Sequence, residues 1–218
     1  MANVLARGED GAFGIQGTAG SNGSNGVQGT AGDCPWHASN TEPGDGTNGS
    51  KGQNGSRGTD GQDARNGSNI ILRVTNFIVG VDIDTRGGIG GNAGTGGSGG
   101  SGGKGGAGGN KDDCDHSGKG GRGGDGGNGN DGGDGGDGGN GGNITVIADQ
   151  VTTGTLNANA EGGPGGLGGA AGAGGSKGDG GSGYPNGSNG NPGPNGDTGL
   201  NGPKGADGMI TIEETGSY

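Results

Sequence analysis

Glycine recurs at every third position over long stretches of this chain. Residues 8–32 and 187–208 keep this register without a break, and residues 46–67 lapse once, at Ala64. A flexible linker does not require glycine at a fixed spacing. Three residues per turn is the repeat of the polyproline II helix, which rises about 3.1 Å per residue. The spacing therefore favours rods of extended helix over a disordered chain.

Three further stretches carry two glycines in nearly every triplet: residues 87–109, 120–142 and 162–183. The pattern lapses at Ala93, Asn130, Ala171 and Lys177. A glycine face lets a neighbouring backbone approach closely enough for hydrogen bonds between helices. One such face suits an arm at the edge of a bundle, and two suit an arm packed between others. The collagen triple helix also has glycine at every third position, but it needs abundant proline. The chain has only seven prolines in 218 residues, which disfavours collagen.

Composition excludes several classes of protein. Glycine supplies 72 of 218 residues and hydrophobic residues other than glycine 22%, whereas a soluble domain has about 40% apolar residues besides glycine, so an ordinary hydrophobic core is excluded. The net charge of −11 makes nucleic acid and anionic membranes poor partners. No apolar run approaches the ~20 residues that span a bilayer, and no signal peptide is visible at the start. We expect no membrane insertion.

Short β-like segments punctuate the glycine arms and repeat. Residues 69–91 and 143–166 align as a strand, a turn, a second strand and the start of an arm. A third copy is split between the ends of the chain, with its first strand in 209–218 and its second around Val4. We therefore predict a single domain of three permuted repeats: 1–68 plus 209–218, 69–142, and 143–208.

The predicted fold is a bundle of about six antiparallel polyproline II (polyglycine II) helices rooted in a small β-strand platform, with essentially no α-helix. An arm of about 24 residues would span about 75 Å. Alternating apolar residues in the β segments should form the core of the platform. They are Ile70, Leu72, Val74, Ile144, Val146 and Leu156.

The split repeat can close in two ways. The terminal strands pair within one molecule, or the C-terminal strand of one subunit pairs with the N-terminal strand of the next and builds a filament. Val4, Ile210 and Ile212 are the apolar residues of these candidate assembly strands. We expect the filament.

The two cysteines, Cys34 and Cys114, lie in two of the three tips that join outgoing and returning arms. A disulfide between them would close a loop of about 80 residues and indicate an oxidising location. Nearby His37 and His116 allow a second possibility, a Cys₂His₂ zinc site, although the C-x-H spacing is unusual for zinc. We expect the disulfide, and neither a metal nor another cofactor.

No grouping of catalytic residues is recognisable, so we expect that the protein is not an enzyme. On the fourth arm a row from Lys119 to Asp137 carries carboxylates about 9.3 Å apart, too far to chelate one ion in pairs. We interpret this row as a solvated acidic face. Six Asn-x-Ser/Thr triplets matter only if the host glycosylates them. They begin at Asn22, Asn48, Asn54, Asn66, Asn143 and Asn186.

The triplets GGSGGSGGKGGAGG (96–109) and GPKGADG (202–208) resemble those of two groups of proteins. Springtail glycine-rich antifreeze proteins bundle polyproline II helices and tie them with disulfides, and tip adhesins of T-even-like phage tail fibres form a polyglycine II sandwich. The likeness covers all six arms and implies a shared architecture. The β platform departs from the springtail pattern, and no segment resembles the fibre-attachment domain expected of an adhesin.

Three functions fit this architecture. A structural filament subunit, extracellular or on a cell or virion surface and assembling with itself, explains the split repeat and the charge. A receptor-binding adhesin would use the tips, which concentrate Trp36, His37, His116 and Tyr184 as possible contacts. An ice-binding protein needs a flat, mildly apolar face. We expect the filament first, the adhesin second and ice binding third.

Overall fold

The computed structural model describes residues 2–37, 39–76, 81–113, 115–150 and 156–216. These ranges contain six strands and no α-helix, in agreement with the prediction of essentially no α-helix. The strands are β1 (Ala2–Leu5), β2 (Ile70–Asn76), β3 (Val81–Asp84), β4 (Ile144–Gln150), β5 (Leu156–Asn159) and β6 (Ile210–Glu214). No helix long and apolar enough to cross a bilayer occurs in the described part of the chain.

All six strands pair in parallel and form two three-stranded sheets, β1-β3-β5 and β2-β4-β6. In the second sheet Ile70 pairs with Ile144, which in turn pairs with Ile210. In the first sheet Val4 pairs with Ile83. Equivalent positions of the aligned sequence segments therefore lie side by side.

The core of the platform joins the two sheets. Its buried residues come mainly from the central strands β3 and β4, because these strands have a partner on both sides. They are Ile83, Ile144, Val146, Ala148 and, just after β5, Ala160. The remaining predicted core residues lie on outer strands and pack partly buried against this cluster. They are Ile70, Leu72, Val74 and Leu156.

Long glycine-rich segments, called arms below, connect the two sheets in pairs. Arms 1, 3 and 5 lead away from β1, β3 and β5, and arms 2, 4 and 6 return to β2, β4 and β6. In order, the arms comprise residues 8–32, 44–67, 87–109, 118–142, 162–183 and 187–208. Backbone hydrogen bonds at three-residue intervals join neighbouring arms along their length.

The arms form two layers. In layer A, arm 1 donates to arm 3 and arm 3 to arm 5, as from Gly14 N to Asn92 O and from Gly96 N to Ala170 O, both at 2.8 Å. In layer B, arm 2 donates to arm 4 and arm 4 to arm 6. A zigzag of bonds joins the layers, each arm from 2 to 6 donating to the arm before it in the chain. Arms of one layer run parallel to each other and antiparallel to those of the other layer.

Arms 3 and 4 lie in the middle of their layers, as their two glycine rows predict. Arm 5 is different, because it lies at the edge of layer A and still carries two glycine rows. Its second row faces arm 6: a Cβ at Gly168 would lie 2.1 Å from Gly199 O. The number of glycine rows therefore reflects contact with the other layer as well as position within a layer.

Glycine is needed in the arms for close approach, not for an unusual backbone conformation. Among the described residues, a positive φ occurs only at Gly216, which follows β6. In the arms, a Cβ at Gly94 would lie 1.9 Å from Ile15 O, and one at Gly127 would lie 2.0 Å from Gln53 O. A side chain at either of these positions would force the arms apart.

Gly97→Ala tests this explanation, because a Cβ at Gly97 would lie 2.0 Å from Thr18 O. Where the backbone is compatible, Gly→Ala usually stabilises a protein by about 0.4–1 kcal/mol. Here we expect a loss of about 1–3 kcal/mol or more, because the two arms must separate. Denaturant unfolding followed by circular dichroism measures the change. The neighbouring exposed Ser98→Ala is the control, and a Gly97→Ala protein as stable as this control would contradict the explanation.

Candidate binding surfaces

Each layer turns one row of side chains per arm outward. We call the outward rows of arms 1, 3 and 5 face A, and those of arms 2, 4 and 6 face B. Within a face the rows are in register: Ile89 N–H donates to Asp10 Oδ1, and Leu167 N–H donates to Asn92 Oδ1. Each face is therefore a lattice, three side chains wide, that repeats every three residues along the arms.

Face A is almost free of charge in its middle. Charged residues lie only at its ends, with Asp10, Arg86 and Glu161 near the platform and Lys104 and Asp179 near the tips. The central rows of face A, taken across arms 1, 3 and 5, are Gln16, Thr95 and Ala170; Ala19, Ser98 and Ala173; and Asn22, Ser101 and Ser176. These side chains are small or carry an amide or hydroxyl group.

Face A also exposes a group of larger apolar side chains close to the platform. Phe13 is 75% exposed, Leu167 60% and Ile89 50%. Phe13 and Leu167 belong to one row across the face, on either side of Asn92, and Ile89 belongs to the next row. These exposed side chains make this end of face A a candidate interaction surface.

Face B is strongly charged. Arg57 lies 3.0 Å from Asp60 and 3.5 Å from Asp134, and Arg122 lies 2.6 Å from Asp125. All of these side chains are at least one-third exposed, so the pairs contribute little to stability. The two faces of the bundle thus differ sharply in chemistry.

The acidic row of arm 4 makes specific bonds to the backbone of arm 6. Asn191 N–H donates to Asp125 Oδ1 at 2.8 Å, and Leu200 N–H donates to Asp134 Oδ1 at 2.7 Å. The Asn191 N–H is the main cause that lowers the pKa of Asp125. The interpretation of this row as merely solvated is therefore incomplete, because its carboxylates satisfy N–H groups that point out of the layer.

Amide side chains play the same role between arm 2 and arm 4. Asn48 Oδ1 accepts from Arg122 N–H at 2.8 Å, and Asn54 Oδ1 accepts from Asn128 N–H at 2.9 Å. This role was not predicted from the sequence, although Asn or Asp at a fixed position of the triplet is a readable signal. The six asparagines that begin Asn-x-Ser/Thr triplets all accept a backbone hydrogen bond through Oδ1. The bonds involve Asn22, Asn48, Asn54, Asn66, Asn143 and Asn186.

Hydroxyl groups cover the bundle edge formed by arms 1 and 2. Thr18 N–H donates to Ser56 Oγ at 2.8 Å, and Ser24 N–H donates to Ser50 Oγ at 2.7 Å. Thr59 and Thr47 receive N–H bonds in the same way, from Ile15 and Val27. We call residues 47, 50, 56 and 59 the hydroxyl row.

Amide groups cover the opposite edge, formed by arms 5 and 6. Gly168 N–H donates to Asn201 Oδ1 at 2.9 Å, and Gly174 N–H donates to Asn195 Oδ1 at 2.8 Å. Asn189 accepts from Gly180 in the same way. We call residues 189, 195 and 201 the amide row.

The tips meet at the end of the bundle away from the platform. Asn40 of the first tip donates through Nδ2 to the Asp115 carboxylate of the second. The His116 and Tyr184 rings, from the second and third tips, have centroids 4.5 Å apart. Trp36 is 89% exposed and its ring contacts the His37 ring, with centroids 3.6 Å apart and planes tilted by 44°. The four predicted contact residues therefore form two separate aromatic pairs.

Of the two cysteines, only Cys34 lies in the described part of the chain, and Cys114 lies outside it. The Asn40–Asp115 bond brings the tips that carry the two cysteines together. No described cysteine is free, and no group of three or more His, Cys, Asp or Glu in the described ranges could hold a metal ion. The disulfide stays a prediction.

Both candidate assembly strands are paired within the chain. Val4 in β1 pairs with Ile83, and Ile212 in β6 pairs with Val146. β1 and β6 are edge strands of different sheets. Ile212 remains 52% exposed and Ile210 45%. A filament built by exchange of these strands stays a prediction.

Asp84, at the end of β3, joins the platform to the arms. Burial raises the pKa of this carboxyl, but hydrogen bonds from Arg86 and Arg7 outweigh the effect and lower the pKa to about 2. Arg7 Nε lies 2.6 Å and Arg86 Nη2 3.0 Å from Asp84 Oδ2. This cluster was not predicted from the sequence, because Arg7 is distant in the chain from Asp84 and Arg86.

No family model matches this chain, and no curated protein matches it significantly. A solved structure that is weakly similar is the nine polyproline type II helical bundle springtail antifreeze protein from Granisotoma rainieri. It is 24% identical, covers 85% of this chain and 92% of its own, and has a TM-score of 0.18. A TM-score this low does not establish a common fold, so family membership stays a prediction.

The predicted disulfide is testable by mass spectrometry. Alkylation without reduction should leave Cys34 and Cys114 unmodified, and digestion should release a peptide pair joined through them. Reduction should lower the free energy of unfolding by about 4 kcal/mol, since the bond closes a loop of ~80 residues. Alkylation of both thiols in the untreated protein would rule the disulfide out.

The Asp84 cluster predicts a loss of stability in acid. Its folded-state pKa is about 2 against an ordinary value of 3.8, so the unfolded state binds the proton more readily. The contribution of Asp84 is therefore complete above about pH 4 and is lost as the pH falls through about 2. Asp84→Asn should cost about 1–2 kcal/mol at pH 7. Unfolding free energies of both proteins between pH 2 and 7 should converge in acid, and a constant difference would refute the assignment.

Proposed function

We propose that the arms are polyproline II (polyglycine II) helices and that the protein is a rigid, non-enzymatic plate that works outside the cell or on its surface. Inter-arm hydrogen bonds recur every three residues, which is the period of this helix. The fixed register of three arms per layer supports a rigid, regular surface on each side. The expected disulfide supports an extracellular location.

We propose further that face A binds ice. The carrying observation is the contrast between the faces: the central rows of face A hold small, uncharged side chains, whereas face B holds rows of carboxylates, lysines and arginines. Charged groups orient the water around them and so oppose an ordered layer of water. Methyl, hydroxyl and amide groups repeated at a spacing of about 9 Å along each arm are compatible with such a layer.

The other two candidate functions have weaker support. A filament built by the terminal strands would have to join the open edges of β1 and β6, which already pair within the chain in different sheets. An adhesin is favoured by one observation, the exposure of Trp36 and Tyr184 at the tips, at 89% and 64%. Exposed aromatic side chains with a polar end are common contacts in binding sites.

Ser98→Lys tests ice binding, because Ser98 lies in the middle of face A and is exposed. The lysine should abolish most of the thermal hysteresis and the partition of the protein into growing ice. Ser188→Lys is the matched control, since Ser188 is exposed on face B, and it should keep both activities.

A Trp36→Ala, Tyr184→Ala variant separates face A from the tips. It should bind ice as the parent protein does. Absence of thermal hysteresis in the parent protein would refute ice binding. Equal loss in the Ser98→Lys and Ser188→Lys variants would show that face A is not the site.

A further inference from the structure

We infer that the amide row (189, 195 and 201) and the hydroxyl row (47, 50, 56 and 59) are edge caps that keep a second copy of this chain from extending both layers. The inference does not depend on ice binding. It rests on a comparison between arms in the middle of a layer and arms at its edge, which have the same backbone groups but different partners.

Arms 3 and 5 show the difference within layer A. In arm 3, Gly96 and Gly99 donate their N–H groups to carbonyls of arm 5, at Ala170 and Ala173. Among the described residues, no further arm lies beyond arm 5 in layer A. Its corresponding groups, such as those of Gly168 and Gly174, donate to the amide row instead. Each side-chain oxygen therefore takes the place of a carbonyl from a missing arm.

The edge at arms 1 and 2 repeats this substitution with hydroxyl groups. In arm 3, Gly97 and Gly103 donate to the main-chain carbonyls of Ser56 and Ser50. In arm 1 the corresponding donors, Thr18 and Ser24, bond the hydroxyl oxygens of the same two serines. Each of these serines therefore accepts one hydrogen bond from arm 3 through its main-chain carbonyl and one from arm 1 through its hydroxyl oxygen.

The partner that would fit an uncapped edge is another copy of this chain. The missing neighbour of arm 5 must run parallel to it and present carbonyls every three residues. Arm 1 runs in that direction and is itself at the edge of layer A. The same approach would bring β1 and β2 of the second copy to the open edges of β5 and β6, where Glu213 and Glu214 lie exposed on a five-residue strand. Charges and short strands discourage pairing at sheet edges.

Removal of the caps on both edges tests the inference. The amide-row variant is Asn189→Ala, Asn195→Ala, Asn201→Ala, and the hydroxyl-row variant is Thr47→Ala, Ser50→Ala, Ser56→Ala, Thr59→Ala. We expect the combined variant to at least double its mass by light scattering at a concentration where the parent mass is unchanged. Electron microscopy should show ribbons widened in steps of one molecule, with the circular dichroism of the parent retained.

Thr198→Ala is the matched control, because Thr198 lies in the same row of arm 6, between Asn195 and Asn201, and makes none of these capping bonds. It should keep the parent mass. If the combined variant unfolds, the single variants Asn195→Ala and Asn201→Ala should still show a graded rise in mass with concentration. Folded variants that keep the parent mass, or association of Thr198→Ala to the same extent, would overturn the inference.

Discussion

The hydrogen bond from a backbone N–H of one arm to a carbonyl of the next is the interaction on which the whole molecule depends. Most of its donors are glycines. Where the donor and the acceptor both carry side chains, as in the bond from Ser56 N to Thr18 O, a neighbouring glycine still allows the close approach, since a Cβ at Gly17 would lie 2.1 Å from Ser56 O. Each bond is worth little by itself, about 0.5–1.5 kcal/mol. Repeated at three-residue intervals along all six arms, such bonds replace the hydrophobic core that the composition excludes.

Cohesion through the main chain leaves most side chains free for other tasks. Asn, Asp, Ser and Thr satisfy the N–H groups that point outward, such as those of Asn191 and Thr18. Because buried or half-buried N–H groups without partners are costly, these side chains complete the bundle as caps complete a helix. The outward-facing side chains can then differ in charge between the two faces, and they do.

Much of the architecture is readable from the sequence, and the reasons are local. Period-three glycine, the alternation in 70–74 and 144–148, and the absence of helical patterns depend on neighbouring residues. Pairings between distant residues were not readable. The Arg7–Asp84–Arg86 cluster and the capping of Gly174 by Asn195 depend on which arms lie side by side. The interpretation of the acidic row of arm 4 was incomplete for the same reason, since its carboxylates also accept hydrogen bonds from the backbone of arm 6.

The register between arms limits the insertions and deletions that the gene for such a protein can tolerate. Loss of one residue from an arm would move every later glycine off its contact and every later Asn or Ser off its N–H group. Loss or gain of a whole triplet of codons keeps the register, and the change must be shared by the arms beside it. Variants that fold should therefore differ by whole residue triplets that are matched between neighbouring arms. The plate then becomes longer or shorter while its ends stay the same.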